Sequence, residues 1–547
     1  MNKLPIGIQT FEKIREGNYA YIDKTEIALK LVSEGDYYFL SRPRRFGKSL
    51  FLDTLKDLFE SKKNLFEGLA IHDQWDWSVT SPVIRISFGA GVHDNVDALD
   101  TTIQQILGGN AKRLGLTCHD TDDVKYQFAQ LLEAACEKHG KVVILVDEYD
   151  KPILDNISDK ETARVMRDRL KNFYSVIKDS DAFIKFVFIT GVSKFSKVNL
   201  FSGLNNLEDI TLNPHYATIC GYTHHDLQTT FKAHLQGADM AEVKDWYNGY
   251  NYLGEKVYNP FDILLFISNG VDRFNSYWWS TGNPSFLVEL LKSKTYFIPE
   301  LSHYQADSVV LDSFDVDHID LVALLWQTGY LTIDHEEKTP FGSVYHLALP
   351  NREIRLSLNR LFINYLTTQT GEVLSYQKSL YEVLGKGDVD ALEGIFTRLF
   401  ASIPYQNFTN NKLQDYEGYY TSVIYAYLAS LGFEIIAEDC TNRGRIDITL
   451  KIEGKVYLFE VKVTDKATQE ASDDKALAQI ESRQYAQKYQ GAGEVYCVGL
   501  TFSKQTRNLA GVVWEKLDLV AFLRESPLGE VELDMARDKD LPRDIEL

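Results

Sequence analysis

Two short stretches of this 547-residue sequence hold the residue types and spacing that phosphate chemistry requires. The first begins where an apolar run ends at Leu40: Ser41-Arg42-Pro43-Arg44-Arg45-Phe46-Gly47-Lys48-Ser49, leading into a helix-forming segment. A strand, a tight loop of backbone amides and a helix N-terminus together make an anion-binding corner. In that scheme Arg44, Arg45, Phe46 and Gly47 surround a nucleotide, Lys48 reaches its β- and γ-phosphates, and Ser49 supplies a ligand to Mg2+. Arg42 stands where the motif's first glycine belongs, and Pro43 removes one amide donor. Arg44 and Arg45 offset this with charge, or reach another phosphate or a partner. A basic surface turn is the competing reading, and a second motif counts against it. Residues 141–146 form an apolar run ending at Asp147 and Glu148. There Asp147 holds the Mg2+ shell and Glu148 orients or deprotonates the attacking water. The next apolar run ends at Thr190, so Thr190 or Ser193 is a candidate γ-phosphate sensor. Arg164, Arg167 and Arg169 fall on a charged helix, where arginines are usually solvated, and no arginine finger is assigned.

The second stretch lies near the other end of the chain. Residues 444–452 and 455–462 alternate apolar and polar around Glu453-Gly454, which predicts a β-hairpin with a two-residue turn. That turn sets Ile452 opposite Lys455, Thr449 opposite Leu458 and Asp447 opposite Glu460. Strand alternation brings Lys462 to the same face. The other face collects Ile446, Ile448, Leu450, Ile452, Tyr457, Phe459 and Val461 as a core. Two carboxylates can bind Mg2+ or Mn2+, which polarises a scissile phosphate and activates water. A lysine beside them positions that water and offsets developing charge. A solvent face with one cross-strand salt bridge is the mundane alternative. Upstream, Glu417 opens a predicted helix with Tyr420, Ile424, Tyr427 and Leu431 on its apolar side, and Glu417 falls on that inward side. An inward carboxylate needs a partner, either a metal or the helix start itself.

The elements that must carry these groups follow an α/β pattern. Residues 37–40, 83–88, 141–146 and 183–190 read as buried strands, and 49–60, 96–107 and 162–178 as helices between them. Residues 285–400 read as mainly helical with a short hairpin near 329–349. A new α/β pattern starts near 412, and the end beyond Arg524 is acidic. The composition, 44% hydrophobic and 25% charged, is that of a soluble globular protein with about three domains. Its net charge of −20 opposes general affinity for nucleic acid, so binding needs a local basic surface, a cation or a partner. Five scattered cysteines without a CxxC pair argue against a zinc ribbon or disulfide framework and for a cytoplasmic location. No signal peptide and no run of about 20 apolar residues is present, so no membrane association is expected.

Several motifs together resemble the bacterial AAA-ATPase-like family over residues 3–285. They are Ile6-Gly7 with Phe11, Tyr21-Ile22-Asp23-Lys24-Thr25, the 42–49 loop, Asp147–Pro152, Tyr247-Asn248-Gly249-Tyr250 and Tyr258-Asn259-Pro260. In that family the loop's missing first glycine is usual. The resemblance implies ATP binding. Over residues 380–515, helix-Glu, Asp, Glu-x-Lys and then Gln479 with Tyr485 resemble the PD-(D/E)XK nuclease superfamily, a module often found behind this ATPase-like domain. That resemblance implies Glu417, Asp447 and Glu460 as metal-site residues, Lys462 as catalytic and Gln479 as accessory. The combined expectation is a P-loop domain (1–285), a helical connecting region (286–385), a nuclease-like α/β domain (386–525) and an acidic tail (526–547). In function, ATP would control metal-dependent cleavage of nucleic acid, DNA before RNA, with a homo-oligomer or protein partner possible. The alternative is a nucleotide-switched interaction protein whose nuclease-like domain binds without cleaving.

Overall fold

The structure is a computed structural model that describes residues 1–117, 123–194, 200–201, 204–278, 304–312, 316, 320–367, 371–403, 417–441, 443–467, 475–483, 485–489 and 492–517. The chain forms two compact units, Met1–Leu361 and Phe362–Leu547.

The first unit is built on a parallel sheet of β1 (Tyr37–Ser41), β2 (Val83–Ser87), β3 (Val142–Asp147), β4 (Ile184–Gly191) and β5 (Glu208–Asp209), in the order β2-β3-β4-β1-β5. Helices Lys48–Phe59, Val96–Arg113, Val124–His139 and Lys160–Asp179 alternate with the strands. Covered strands read as unbroken apolar runs, which is why 37–40 and 141–146 were legible. The helix expected at 96–107 runs on to Arg113. Helix Val124–His139 was not anticipated, although Asp123 caps it and Val124, Phe128, Leu131, Leu132 and Ala135 are buried at helical spacing. Because β4 lies between β1 and β3, the C-terminal ends of all three adjoin, and parallel sheets bind ligands at that edge.

Beyond the sheet come β6 (Asn248–Tyr250) and β7 (Val257–Tyr258), then a three-stranded sheet of β8 (Gln305–Ala306), β9 (Thr332–Thr339) and β10 (Gly342–Ala348). The last two are the hairpin expected near 329–349. Gly249 has φ +132°, and a Cβ there would meet Pro350 O at 1.8 Å, so only glycine fits. Helices Pro260–Asn269, Ser308–Asp312 and Leu321–Gln327 accompany these strands, and Arg352–Thr367 follows them.

The second unit holds helices Val373–Lys386, Ala391–Ala401 and Glu417–Ala429. Its sheet comprises β11 (Glu434–Thr441), β12 (Gly444–Ile452), β13 (Lys455–Thr464), β14 (Glu494–Ser503) and β15 (Asn508–Lys516), in sequence order. Only β13 and β14 are parallel, bridged by a crossover that includes helix Lys475–Ser482. Glu453 (φ +47°) and Gly454 (φ +77°) both take left-handed conformations, as a tight two-residue turn requires. The ladder then runs as expected from Ile452↔Lys455 to Ile448↔Phe459.

Three details depart from the sequence reading. The ladder stops one pair short of Asp447 and Glu460, because an Asp447 carboxylate oxygen accepts the Val461 N–H at 2.7 Å. The expected alternation also fails at Ile446, which clusters with Val456 and Leu458 rather than with Tyr457 and Phe459. Its cause is a kink at Glu438 (φ +49°), where the β11–β12 ladder skips from Ala437↔Ile448 to Asp439↔Ile446. Finally, the helix from Glu417 ends at Ala429, leaving Leu431 in the following turn. Every residue from Tyr419 to Ala429 is buried, so that helix has no solvated side. The tail at 526–547 lies outside the described residues.

Candidate functional site

The loop after β1 holds its shape through two left-handed residues, Arg45 (φ +67°) and Gly47 (φ +98°), ahead of helix Lys48–Phe59. Lys48 is buried, and its ammonium donates to the carbonyls of Arg42 (2.8 Å) and Pro43 (2.9 Å), inside the loop it closes. Burial pushes its pKa down, against the pull of Asp147. Arg42 is wholly buried: its guanidinium donates to Ser41 O, Thr211 O and Tyr216 O and lies 3.7 Å over the Tyr252 ring. It is therefore a structural pin under the loop. Sequence reasoning saw only a missing glycine there, and the nearest signal was the aromatic run at 246–252. Phe46 packs its ring edge-on to Tyr250, 4.8 Å between centroids. Arg45 sits 4.3 Å over the Phe261 ring, its pKa lowered by burial against the charge of Asp262, and Arg44 and Arg45 both keep exposed surface.

Across the strand edge, Thr190 is buried and its hydroxyl donates to Asp147 at 3.0 Å. Ser193 instead donates through its hydroxyl and its amide to buried Asp150, both at 2.6 Å. Asp150 thus anchors the turn after β3, a role the sequence did not reveal. Glu148 has a left-handed backbone (φ +52°), and burial, then the neighbouring Asp147, push its carboxyl pKa up. A cavity of about 600 Å3 runs from the loop to Glu148, and Asp147, Asp150, Thr190 and Ser193 are not among its lining residues. Arg44, Arg45, Gly47, Lys48, Ser49, Glu148 and Lys151 line it, as do Ile8, Tyr21, Ile22, Tyr222, Phe261 and Leu264. It falls in the size range of small-ligand pockets.

In the second unit, Lys462 joins the acids: its ammonium lies 2.9 Å from Glu460 and 3.3 Å from Glu417. Glu460 is buried and Glu417 is half-exposed at the helix start. Burial raises the carboxyl pKa of Asp447 to about 6 and that of Glu460 to about 7, the latter helped by the charge of Asp447. Lys462 is held up by Glu460 and Glu417 against its own burial. The other Glu460 oxygen, Oε2, is buried without a hydrogen-bond partner among the described residues. A buried carboxylate with one unmatched oxygen, Glu460, and the partly buried Asp447 have the donor chemistry for a divalent cation. Among the described residues, however, no three His, Cys, Asp or Glu side chains are gathered closely enough to hold one. Gln479 lies on helix Lys475–Ser482, and no described hydrogen bond joins its amide to these acids. Tyr485 is buried in the core beside Ile446 and Ile480.

Among the described residues, no helix is long and apolar enough to cross a membrane, and Cys136, Cys220, Cys440 and Cys497 are free thiols. Cys118 lies outside them.

Residues 5–201 match the family described as predicted AAA-ATPase, AAA-ATPase-like, and residues 415–511 match the PD-(D/E)XK nuclease superfamily. A protein of Azotobacter chroococcum mcd 1, called "Uncharacterized protein in vnfD 5'region", is 47% identical over 518 residues, covering 94% of this chain and 99% of that protein. Among solved structures, that of the Aeropyrum pernix ORC1 protein in complex with DNA aligns with 62% of this chain and 93% of its own at 10% identity. Its TM-score of 0.25 is too low to bear on fold or function. The chain belongs to the bacterial AAA-ATPase-like family and carries a C-terminal domain of the PD-(D/E)XK nuclease superfamily.

Proposed function

We propose that the first unit binds and hydrolyses ATP with Mg2+, and that this controls phosphodiester cleavage of nucleic acid, DNA before RNA, by the second unit with Mg2+ or Mn2+. One observation supports the reading most strongly: Lys462 pairs with Glu460, whose other carboxylate oxygen is buried without a hydrogen-bond partner among the described residues, and the charge of Asp447 bears on Glu460.

At the first site, Lys48 and the 44–49 amides bind the triphosphate, and Ser49 and Asp147 hold its Mg2+. Thr190 fixes the Asp147 carboxylate by its hydrogen bond. Glu148, its pKa raised by burial and by the charge of Asp147, takes the proton of the attacking water. The apolar lining, Tyr222 and Phe261 among it, accommodates the base. At the second site, Asp447, Glu460 and half-exposed Glu417 hold the divalent cation. That cation supplies Lewis-acid polarisation of the phosphate and acidifies water. Lys462 orients the water and balances the carboxylates, and protonation of Asp447 or Glu460 weakens the site as pH falls through about 7 to about 6.

The finer division is into 1–285, 286–385, 386–525 and 526–547, its second piece spanning the boundary at Leu361 and Phe362. Free thiols fit a cytoplasmic setting. A homo-oligomer would complete the first site with a cation from a second copy. A non-cleaving interaction protein is the second reading, favoured by the lack of a converged three-ligand set among the described residues.

Calorimetric titration with Mn2+ and fluorescence titration with a labelled ATP analogue test the two sites separately. Binding of both is expected. It should be lost for ATP in Lys48→Ala and for Mn2+ in Asp447→Asn. Unchanged binding in either variant overturns that site's assignment.

A further inference from the structure

A net charge of −20 opposes polynucleotide binding, so any such ligand needs a local cationic surface. One lies at the end of the β11–β12 hairpin. Thr441 closes that turn, its hydroxyl donating to Gly444 O (3.0 Å) and accepting from Gly444 N (3.1 Å). Arg483, just past helix Lys475–Ser482, donates to Arg443 O at 2.6 Å. Lys488 donates to Cys440 O at 3.0 Å and pairs with buried Asp439. Tyr485 presses on the same turn: a Cβ at Gly444 (φ +159°) would come within 2.6 Å of its hydroxyl. These bonds gather Arg443, Arg483 and Lys488 at one rim, and Arg445 follows on β12 two residues after Arg443.

The rim adjoins the carboxylate site. Arg445 lies two residues before Asp447 on β12 and pairs with Glu438 at 2.7 Å, and the charge of Glu438 also bears on Asp447. Glu438 and Asp439 each answer one cation. Arg443 and Arg483 are exposed and have no carboxylate partner among the described residues. Exposed, uncompensated guanidinium forks match phosphate oxygens in geometry and charge.

We propose that Arg443, Arg445 and Arg483, with Lys488 beside them, seat the sugar-phosphate backbone of a nucleic acid next to Asp447 and Glu460. The inference rests on the nuclease reading of the second unit and adds how the substrate is held. Contacts of this type position a strand without reading its sequence.

The test uses the full chain with fluorescein-labelled DNA, duplex and single-stranded, in Ca2+ over a series of salt concentrations. Changing all three arginines to Gln should weaken binding at least about tenfold. It should also lower the slope of log K against log salt by about 0.9 per cation removed on duplex and about 0.7 on single strands. The corresponding Lys variants should keep the slope, and Lys504→Gln should change neither quantity. Arg443→Gln, whose side chain makes no described contact, guards against misfolding and should lower the slope by about one. Wild-type affinity and slope in the triple Gln variant, or no DNA binding by the wild type in either form, overturns the rim. Cleavage with Mg2+ or Mn2+ is read separately. Arginine-dependent binding without cleavage removes the nuclease reading and leaves the rim standing. Equal binding and cleavage by wild type and triple variant removes the rim and leaves the nuclease.

Discussion

Carboxyl groups withdrawn from water and acting on each other's charge oppose folding once they ionise, and buried Glu460 with partly buried Asp447 is such a pair. Their folded pKa values, about 6 and about 7, lie above those of an unfolded chain, near 4. The folded state therefore holds these protons more tightly. The stabilisation is full below about pH 4 and is lost as pH rises through about 6 to 7. Asp447→Asn and Glu460→Gln keep a neutral group in place. Each is expected to raise the melting temperature by a few degrees at pH 8 and by nothing at pH 4, while reducing DNA cleavage at least about a hundredfold. Thermal melts at the two pH values check the sign, and a loss of stability at pH 8 contradicts it. In the first unit, Thr190→Val removes the hydroxyl that holds Asp147 at the cost of about 1 kcal/mol of hydrogen bonding. ATP turnover should fall several-fold with ATP affinity unchanged, and a steady-state kcat and KM comparison distinguishes this from lost binding.

Elements set how close these groups come. Gly329 (φ +86°) follows helix Leu321–Gln327 and abuts the phosphate loop, where an added Cβ would meet Pro43 at 2.7 Å and Trp278 at 2.9 Å. Gly329→Ala combines backbone strain with a push on Pro43, so it should weaken ATP binding about tenfold with a smaller loss of stability. Equilibrium titration checks this, and unchanged affinity contradicts it. The sheet strands, the Glu453-Gly454 turn and the register from Ile452 to Ile448 were legible because apolar runs and turn chemistry are local. The Glu438 kink was not, since nothing in Ala437-Glu438-Asp439 requires a left-handed residue. That kink puts Ile446 on the other face and takes Asp447 out of the ladder. Arg42 was opaque for a related reason: its carbonyl and ring partners come from residues 211, 216 and 252, far away in sequence. Asp150 and Ser193 were equally hidden, because their pairing depends on β3 and β4 being neighbours in the sheet.

Family membership joins an ATPase-like domain to a nuclease-superfamily domain in one chain, and in the proposed function the first controls the second. Lys48→Ala should then retain metal-dependent cleavage while losing any change in rate on adding ATP. Cleavage time courses with and without ATP check this, and a persisting ATP response contradicts it. The most direct measurement incubates the full chain with plasmid and single-stranded DNA plus Mg2+ or Mn2+, with and without ATP, beside Asp447→Ala. Metal-dependent cleavage by the wild type, altered by ATP and abolished in Asp447→Ala, is expected. No cleavage by the wild type under any of these conditions, or undiminished cleavage by the variant, contradicts it.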